Sequence, residues 1–379
     1  MREKRDIYLD DPVLGEREKE YLLRCLESTY VSTCGPFVPA FEEKFALFLG
    51  VKKAVSLQSG TAGLHMALWE LGIGPGDEVI IPALTFVATA NAVKYVGARP
   101  IFADVHPSTW TLDPEDFARL ITERTRAVIP VHLYGNACAM EEICAIAKRR
   151  GIYVIEDATE SLGTLYRGRY TGTWGDFGIF SFNGNKLITT GGGGMIVGND
   201  ENRLNHIKYL INQARVGADD YYHGEIGFNL RMTNLEASLG LAQMERIKEL
   251  MEKKKRFRRI YEEAFGDVKW LKMPEPQGES EVLWWLNPIK INTHLLNVSL
   301  LAFQERLKEL GIPTRRLFRP LNTLPPYAKD NTRNYRVAEE IFSHGLCLPS
   351  SPLNDEENIK YVARTITASF SEKVALGCA

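Results

Sequence analysis

The 379-residue sequence predicts an α/β fold, in which a mainly parallel sheet is covered by helices on both faces and a smaller α/β domain follows. Through the first two-thirds of the chain, short apolar runs alternate with stretches of helical spacing. Such alternation is typical of a sheet buried between two layers of helices. After about residue 210 the rhythm changes to longer helical stretches. We predict a large domain over residues 1–250 and a small C-terminal domain over residues 251–379.

Each predicted element of the large domain has its own sequence signal. The apolar runs predicted as strands cover residues 54–57, 78–81, 100–103, 127–131 and 153–155. The predicted helices between them cover residues 61–71, 86–96, 114–121 and 140–149. Strands over 177–180 and 194–197 flank a polar loop. In the C-terminal part, a strand is predicted over 283–291 and helices over 235–265, 300–310 and 355–370.

Composition excludes several classes of function. With 25% charged residues and a formal net charge of -2, the chain gives no reason to expect a nucleic-acid partner. No apolar run is long enough to span a bilayer, and the first five residues lead into no apolar signal region. Its six cysteines form no CxxC pair, which disfavours a metal site and favours reduced thiols. A cytoplasmic protein without a metal or a membrane partner is therefore expected.

The segment 181–186, Ser-Phe-Asn-Gly-Asn-Lys, is the most informative part of the sequence, and four glycines follow it at 191–194. Small and flexible neighbours leave room for a bulky group to approach the backbone. A lysine held there away from bulk water loses part of its preference for the charged form and becomes a usable nucleophile. Lys186 is therefore the first candidate for a catalytic residue.

A carboxylate at a strand end would complete the pair that pyridoxal phosphate (PLP) requires. Residues 154–157, Val-Ile-Glu-Asp, predict a short buried strand that ends in carboxylates. If Lys186 bonds covalently to the cofactor, Asp157 keeps the pyridine nitrogen protonated so that the ring accepts electrons. A plain helix cap is the competing interpretation of Asp157. Glu160, three residues on, either meets another polar edge of the ring or is an exposed helix residue.

Further cofactor contacts are predicted where other strands end. Ser59 can cap the helix that follows it, which directs the amides near Gly60 and Thr61 toward an anion. An ordinary capped turn is the competing interpretation. Ser181 leaves its strand toward the lysine loop and is another candidate phosphate ligand. Phe86 follows a strand at its carboxyl end, where it either stacks on a flat ring or is a buried core residue.

Together these segments resemble the DegT/DnrJ/EryC1/StrS family of PLP-dependent aminotransferases, which act on nucleotide-linked keto-sugars. The resemblance covers nearly the whole chain and rests on the order and spacing of several motifs. These are 59–62 (Ser-Gly-Thr-Ala), 82–91, 130–135 (Pro-Val-His-Leu-Tyr-Gly), 156–158 (Glu-Asp-Ala), 181–186 with its glycines, and 227–234. The resemblance implies fold type I of these enzymes, with a mixed, mainly parallel seven-stranded sheet. It also implies a homodimer whose active sites lie at the subunit boundary.

Carried over by position, the resemblance implies a role for each candidate residue. Lys186 would bond covalently to PLP, and Asp157 would pair with the pyridine nitrogen. Phe86 would stack on the face of the cofactor, and Glu160 would be a further cofactor-binding residue.

The phosphate ligands implied by the resemblance come from both subunits. Asn229 matches the side chain that reaches the phosphate from the partner subunit, with Arg231 close by. The ligands within one subunit would be Gly60, Thr61 and Ser181.

The resemblance also narrows the reaction. Members that remove a hydroxyl carry His at the lysine position, so Lys186 favours transamination. Glu160, Tyr222–His223 and the segment 182–190 resemble perosamine synthases and aminotransferases of the bacillosamine and legionaminic acid pathways. We therefore predict transfer of an amino group from L-glutamate to C4 of a nucleotide-linked 4-keto-6-deoxy sugar. The alternatives are a 3-keto-sugar aminotransferase and a PLP-dependent sugar dehydratase or lyase.

A basic cluster, Arg315, Arg316 and Arg319, follows the second half's proline-containing loop. Arginine suits the geometry of phosphate, so these residues are candidates to meet the substrate's diphosphate. Salt bridges at the protein surface are the competing interpretation.

Overall fold

The computed structural model describes residues 5–217, 221–329 and 333–376, without the side chains of residues 371–376. Its strands are β1 (Lys53–Leu57), β2 (Glu78–Pro82), β3 (Arg99–Ala103), β4 (Thr125–Val128), β5 (Tyr153–Asp157), β6 (Leu165–Tyr166), β7 (Arg169–Tyr170), β8 (Phe177–Ser181), β9 (Gly194–Gly198), β10 (Arg215–Val216), β11 (Tyr222–His223), β12 (Leu271–Lys272), β13 (Ser280–Glu281), β14 (Asn287–Ile291), β15 (Arg315–Arg316) and β16 (Gly345–Leu348). Its helices are α1 (Glu16–Glu27), α2 (Phe37–Leu49), α3 (Gly60–Glu70), α4 (Ala88–Tyr95), α5 (Pro114–Leu120), α6 (Met140–Arg150), α7 (Glu201–Leu210), α8 (Asn234–Glu245), α9 (Ile247–Phe265), α10 (Thr293–Leu296), α11 (Leu300–Glu309), α12 (Pro325–Ala328), α13 (Arg336–His344) and α14 (Glu356–Leu376).

A seven-stranded sheet in the order β1-β9-β8-β5-β4-β2-β3 forms the centre of the fold. The five strands from β8 to β3 pair in parallel, whereas β9 is antiparallel to both of its neighbours. Every residue of β2 and β9 is buried, as expected for strands covered on both faces. The predicted mixed, mainly parallel sheet is confirmed.

The parallel pairing of β5 with β8 brings two candidate segments to one edge of this sheet. Asp157, the last residue of β5, pairs with Ile179 of β8, and Ser181 ends β8 two residues later. The lysine loop then leads from β8 into β9, which pairs back on β8 with Gly194 opposite Ser181. The strands predicted on either side of Lys186 are therefore confirmed, and their carboxyl and amino ends border one site.

A second sheet, in the order β12-β14-β16-β15, carries the C-terminal part of the chain. Its apolar core includes Phe257 of α9, Phe303 of α11 and Ile359 of α14. The long helical region predicted over 235–265 is two helices, because α8 ends at Glu245 and α9 begins at Ile247. Since α9 passes through residue 250, the predicted division into domains at 250/251 falls inside a helix and stays a prediction.

The strand predicted over 283–291 is shorter in the structure. β14 begins at Asn287, and residues 283–286 form no strand. Here the backbone N–H of Trp285 donates to the carbonyl of Tyr134, a residue of the large sheet's loops. Residues 283–286 were predicted as strand because they are apolar, but they are buried against the first part of the chain instead.

No helix among the described residues has the length and apolar composition that a membrane crossing requires. The described cysteines, 25, 34, 138, 144 and 347, are free thiols, and Cys378 lies outside the described residues. The cytoplasmic location stays a prediction.

Gly178 provides a test of how tightly β8 is packed. A Cβ atom at this position would lie 1.8 Å from the carbonyl oxygen of Gly172. We expect Gly178→Ala to lower the free energy of unfolding by roughly 1–3 kcal/mol or more, because backbone must move to admit the methyl group. Urea denaturation measures this. Gly74→Ala is the control, since its Cβ would have no neighbour closer than 3.7 Å; equal stability of the two variants would contradict the prediction.

Candidate active site

A cavity of about 510 Å³ opens at the carboxyl ends of the parallel strands. Phe318 and Arg315, from the C-terminal part, line one side of it. The predicted site residues in its lining are Gly60, Thr61, Phe86, Asp157, Glu160, Ser181 and Lys186. Seven positions chosen from separate segments of sequence are thus brought together.

The Asp157 carboxylate is held in place by two threonines. Its Oδ2 atom accepts a hydrogen bond of 2.7 Å from the Thr89 hydroxyl, and Oδ1 accepts one of 2.7 Å from the Thr159 hydroxyl. The Thr159 amide adds a third contact at 3.3 Å. No helix begins in the residues that follow, 158–164. Asp157 is therefore a carboxyl group in a fixed position on the cavity wall rather than a helix cap.

Glu156, next to Asp157, points away from the cavity and fixes the end of β5. Its carboxylate accepts hydrogen bonds from the backbone amides of Gly172, Trp174 and Gly175. It also lies 3.0 Å from Nε2 of His132, whose Nδ1 accepts from the amide of Cys138. Since Nδ1 accepts a hydrogen bond, Nε2 carries the proton of the imidazole and donates a hydrogen bond to Glu156.

His132 is fully buried by these contacts. The imidazole has no ring nitrogen left to exchange a proton with a substrate, because both are hydrogen-bonded within the protein. His132 is therefore a hydrogen-bonded structural residue at a strand end.

The Lys186 side chain lies in the wall of the cavity and is 13% exposed. Its Nζ atom lies 3.9 Å from the centre of the Trp285 ring and 4.0 Å from the carboxylate of Glu160. Burial lowers the pKa of this amine, although the Glu160 and Asp157 carboxylates act in the opposite direction. The neutral amine, which is the nucleophilic form, is therefore more populated than it would be in water.

Glu160 is also buried, and its Oε2 atom accepts a 2.7 Å hydrogen bond from the amide of Tyr134. Burial raises the pKa of Glu160 to about 7, while the nearby Lys186 amine and the Tyr134 amide oppose the rise. Burial thus acts on both members of the pair in the same sense, toward the protonated carboxyl group and the free amine. Glu160 is not the exposed helix residue of the competing interpretation.

The predicted phosphate ligands Gly60 and Thr61 lie where α3 begins. The Ser59 hydroxyl accepts from the amide of Ala62, which caps the helix as predicted. The backbone packs so closely here that two positions require glycine. A Cβ atom at position 60 would lie 2.9 Å from Thr159, and one at position 194 would lie 2.4 Å from Ser59. The buried hydroxyl of Thr85, on the cavity wall, has no protein partner among the described residues. A ligand with polar groups fits this lining.

Four aromatic side chains lie in a row, of which Phe86, Phe318 and Trp285 line the cavity and only Phe86 was predicted from the sequence. Trp285 stacks on Tyr134 at 6.4 Å between ring centres, Tyr134 on Phe318 at 5.3 Å, and Phe318 meets Phe86 at 5.5 Å. Phe86 is 53% exposed, so it borders the cavity and is not a core residue. The two adjacent tryptophans at 284–285 were the available sequence signal, but their distance in sequence from the lysine loop concealed the contact.

Arg315 is the cavity's cationic residue in the C-terminal part, and it is held by a carboxylate. Both of its terminal nitrogens donate to Asp10, at 2.6 and 3.0 Å, and Asp10 also accepts from the side chain of Asn185 at 3.0 Å. By contrast, the guanidinium groups of Arg316 and Arg319 lie over the ring of Phe342. Of the predicted basic cluster, only Arg315 lines the cavity.

Asn229 and Arg231 do not line the cavity of their own chain. Asn229 is exposed, and its backbone forms an isolated antiparallel β-bridge with Asn212. The backbone of Arg231 forms another with Leu57. The Nε atom of Arg231 is buried without a protein partner in the part of the chain that the structure describes. Their roles as phosphate ligands stay predictions.

Comparison with known proteins identifies the family. The model of the DegT/DnrJ/EryC1/StrS aminotransferase family matches residues 12–367. The chain belongs to this family. It is 38% identical to a GDP-perosamine synthase of Escherichia coli O157:H7, over 96% of this chain and 98% of the relative. It is 40% identical to a GDP-perosamine synthase of Caulobacter vibrioides, over 89% and 91% of the two chains.

Solved structures agree with this assignment. Helicobacter pylori PseC, an aminotransferase involved in the biosynthesis of pseudoaminic acid, matches with a TM-score of 0.92 and 25% identity over 97% of this chain and all of that one. Putative sugar aminotransferase Spr1654 from Streptococcus pneumoniae, in its PMP form, matches with a TM-score of 0.91 and 26% identity over 99% of this chain and all of that one. The protein is therefore a PLP-dependent transaminase of fold type I.

The cavity fits PLP in each of its polar requirements. Lys186 would provide the amine for covalent attachment, Asp157 the carboxylate for the pyridine nitrogen, and the capped N-terminus of α3 the amides for the phosphate. When bound, PLP withdraws electrons from the substrate carbon that loses or gains a proton.

Glu160→Gln tests the burial of the carboxyl group. Because the pKa of Glu160 is raised from 4.5 to about 7 in the folded chain, ionisation costs stability as pH rises through this interval. In the cofactor-free protein at pH 8, we expect Glu160→Gln to raise the free energy of unfolding by roughly 1–3 kcal/mol. The gain should shrink toward about pH 4, where wild-type Glu160 is protonated in both states. Urea unfolding across this pH range measures the difference.

The control is Glu43→Gln, at an exposed position of α2. Its effect on the free energy of unfolding should be small and nearly independent of pH. A Glu160→Gln effect that also stays constant with pH would show that the wild-type carboxyl titrates normally.

Proposed function

We propose that this protein transfers an amino group from L-glutamate to C4 of a nucleotide-linked 4-keto-6-deoxy sugar. The observation that carries the proposal is the cavity that joins the Lys186 amine, the Asp157 carboxylate and the amino end of α3. The relatives named GDP-perosamine synthase, 35–40% identical over most of their length, support a nucleotide-sugar acceptor. Glu160 and the segment 182–190, which resemble those enzymes, support C4.

We assign the proton transfers to Lys186 and its neighbours. In each half of the exchange, the free amine of Lys186 takes a proton from one carbon and returns it to another. Glu160, 4.0 Å away, can hold or supply a proton because burial brings its pKa to about 7. Asp157 would hold the pyridine nitrogen of PLP in its protonated form, which would strengthen the electron withdrawal on which carbon acidity depends.

The walls of the cavity suit a sugar with one apolar edge. Phe318 and Trp285 offer aromatic surface, on which the C–H faces of a sugar and the methyl group of a 6-deoxy sugar would be desolvated. Arg315 provides a positive charge for an anionic substrate group, such as a donor carboxylate or a diphosphate.

Lys186→Ala tests the catalytic assignment. We expect the rate of amino transfer to fall by roughly 10³-fold or more, because the general base and the attachment point are lost together. The visible absorbance of the covalently bound cofactor should disappear as well. Lys44→Ala, at an exposed lysine of α2, is the control and should retain both. Steady-state turnover at the wild-type rate in Lys186→Ala would reject the assignment.

A substrate panel tests the acceptor. Purified enzyme is supplied with L-glutamate and with GDP-, UDP- or dTDP-linked 4-keto-6-deoxy sugars, and with 3-keto isomers. We expect 2-oxoglutarate and a 4-amino sugar in equal amounts from one nucleotide class. Amination of 3-keto sugars alone would overturn the C4 proposal, and a deoxygenated product without consumption of glutamate would indicate a dehydratase.

We further propose a homodimer in which Asn229 of each subunit contacts the phosphate held by the other. Its support is the placement of Asn229 on the exposed surface outside its own cavity, close to the exposed side chains of Tyr222 and Ile226. Exposed apolar side chains near the polar Asn229 form the kind of surface that a second copy of this chain would cover.

Mixing two inactive variants tests this arrangement. Asn229→Asp places a carboxylate against the phosphate and should abolish activity, as Lys186→Ala does. In a dimer with shared sites, a mixed pair has one intact site, so co-refolding equal amounts should restore about one quarter of the wild-type rate. Asp157→Ala mixed with Lys186→Ala is the control and should restore nothing. An equally inactive mixture with Asn229→Asp would contradict shared sites.

A further inference from the structure

Lys254 is a buried lysine that lies outside the cavity. On α9, its neighbours Lys253 and Lys255 are partly exposed, and Lys255 pairs with Glu252 at 3.1 Å. Lys254 is only 3% exposed, and no carboxylate among the described residues lies within 4.0 Å of its amine. An amine without a counterion is costly to bury, so its contacts require an explanation.

The amine of Lys254 donates hydrogen bonds to a backbone carbonyl and to a hydroxyl group. Its Nζ atom donates to the carbonyl oxygen of Trp285 at 2.6 Å and lies 3.2 Å from the hydroxyl of Ser350. The Ser350 hydroxyl donates to the same carbonyl at 3.1 Å and accepts from the side chain of Asn287. Two buried donors therefore converge on the backbone of Trp285.

Trp285 is also fixed at its other polar atoms. Its backbone N–H donates to the carbonyl of Tyr134 at 2.9 Å, and its indole N–H donates to the carbonyl of Asn185 at 2.6 Å. The indole contact reaches the residue directly before Lys186, and the indole ring lies 3.9 Å from the Lys186 amine. The position of this ring depends on both ends of the residue, and Lys254 holds one of them.

Burial lowers the pKa of Lys254 to about 7, with the Asp10 carboxylate acting in the opposite direction. A neutral amine still donates hydrogen bonds, so the contact with the carbonyl does not require the charge. Glutamine, a neutral donor, can replace this function in part, whereas methionine has a similar length and no donor.

We propose that Lys254 is a positioning residue for amino transfer, which acts by holding the Trp285 ring against the Lys186 amine. The inference rests on the proposed role of Lys186. It assigns a task in the active site to a lysine that never touches the cavity, and it connects α9 with the lysine loop through a single residue.

The test compares Lys254→Met with Lys254→Gln in the holoenzyme. We expect Lys254→Met to lower kcat about tenfold with KM for both substrates nearly unchanged, the size of effect that loss of one positioned hydrogen bond produces. The circular dichroism of the cofactor's visible band, which reports how the chromophore is held, should change with it. Lys254→Gln should recover most of both signals.

Lys255→Met is the matched control, because it removes a lysine from the adjacent, partly exposed position of α9. If Lys254→Met does not fold, Ser350→Ala removes the other donor to the same carbonyl and should change the cofactor band in the same way. Thermal unfolding of each variant separates a structural loss from a positioning loss.

Two outcomes would overturn the inference. One is a Lys254→Met or Ser350→Ala enzyme whose kcat and cofactor dichroism equal those of Lys255→Met. The other is a lower melting temperature with both signals unchanged, which would make Lys254 a purely structural residue. Either result leaves the proposed function intact, whereas turnover by Lys186→Ala would remove that function itself.

Discussion

Burial of the Lys186 amine between the Glu160 carboxyl group and the Trp285 ring is the constraint on which the rest of the site depends. An exposed lysine would be protonated and unreactive at neutral pH, and a lysine buried among apolar groups alone would have nothing with which to exchange a proton. Here burial shifts the pKa of the amine downward and that of the carboxyl upward. The two shifts bring both groups toward the range in which an enzyme can move protons.

The sheet brings the site residues together because neighbouring parallel strands end at the same edge. Because β5 and β8 are parallel neighbours, Asp157 and Ser181 leave the sheet at the same edge, and the lysine loop starts there. The buried carboxylate of Glu156 accepts hydrogen bonds from three backbone amides and from His132. These contacts fix the end of β5 on the side away from the cavity. The Asp157 side chain therefore leaves a strand whose end is held in place by several hydrogen bonds.

Sequence reasoning found the parts of the site that each strand end carries locally. Lys186, Asp157 and the Ser59 cap stand in short motifs whose chemistry can be recognised without knowing the fold, and the strand rhythm places them at one sheet edge. Trp285 and Phe318 were missed because their contacts with the lysine loop and with Tyr134 span more than 95 residues. An apolar pattern predicts that such residues are buried, but it does not say against which partner.

The C-terminal part packs directly against the lysine loop. Trp285 and Arg315 both reach the lysine loop, the first through the carbonyl of Asn185 and the second through Asp10, which also binds the Asn185 side chain. Both contacts meet at the residue before Lys186, so displacement of the C-terminal part would disturb the amine directly. Arg315 places a positive charge on the cavity wall. An anionic substrate group that competed with Asp10 for Arg315 would therefore change the position of Asp10 and its hydrogen bond with Asn185. Arg315, Asp10 and Asn185 thus form one hydrogen-bonded chain of side groups that connects the cavity wall with the residue before Lys186.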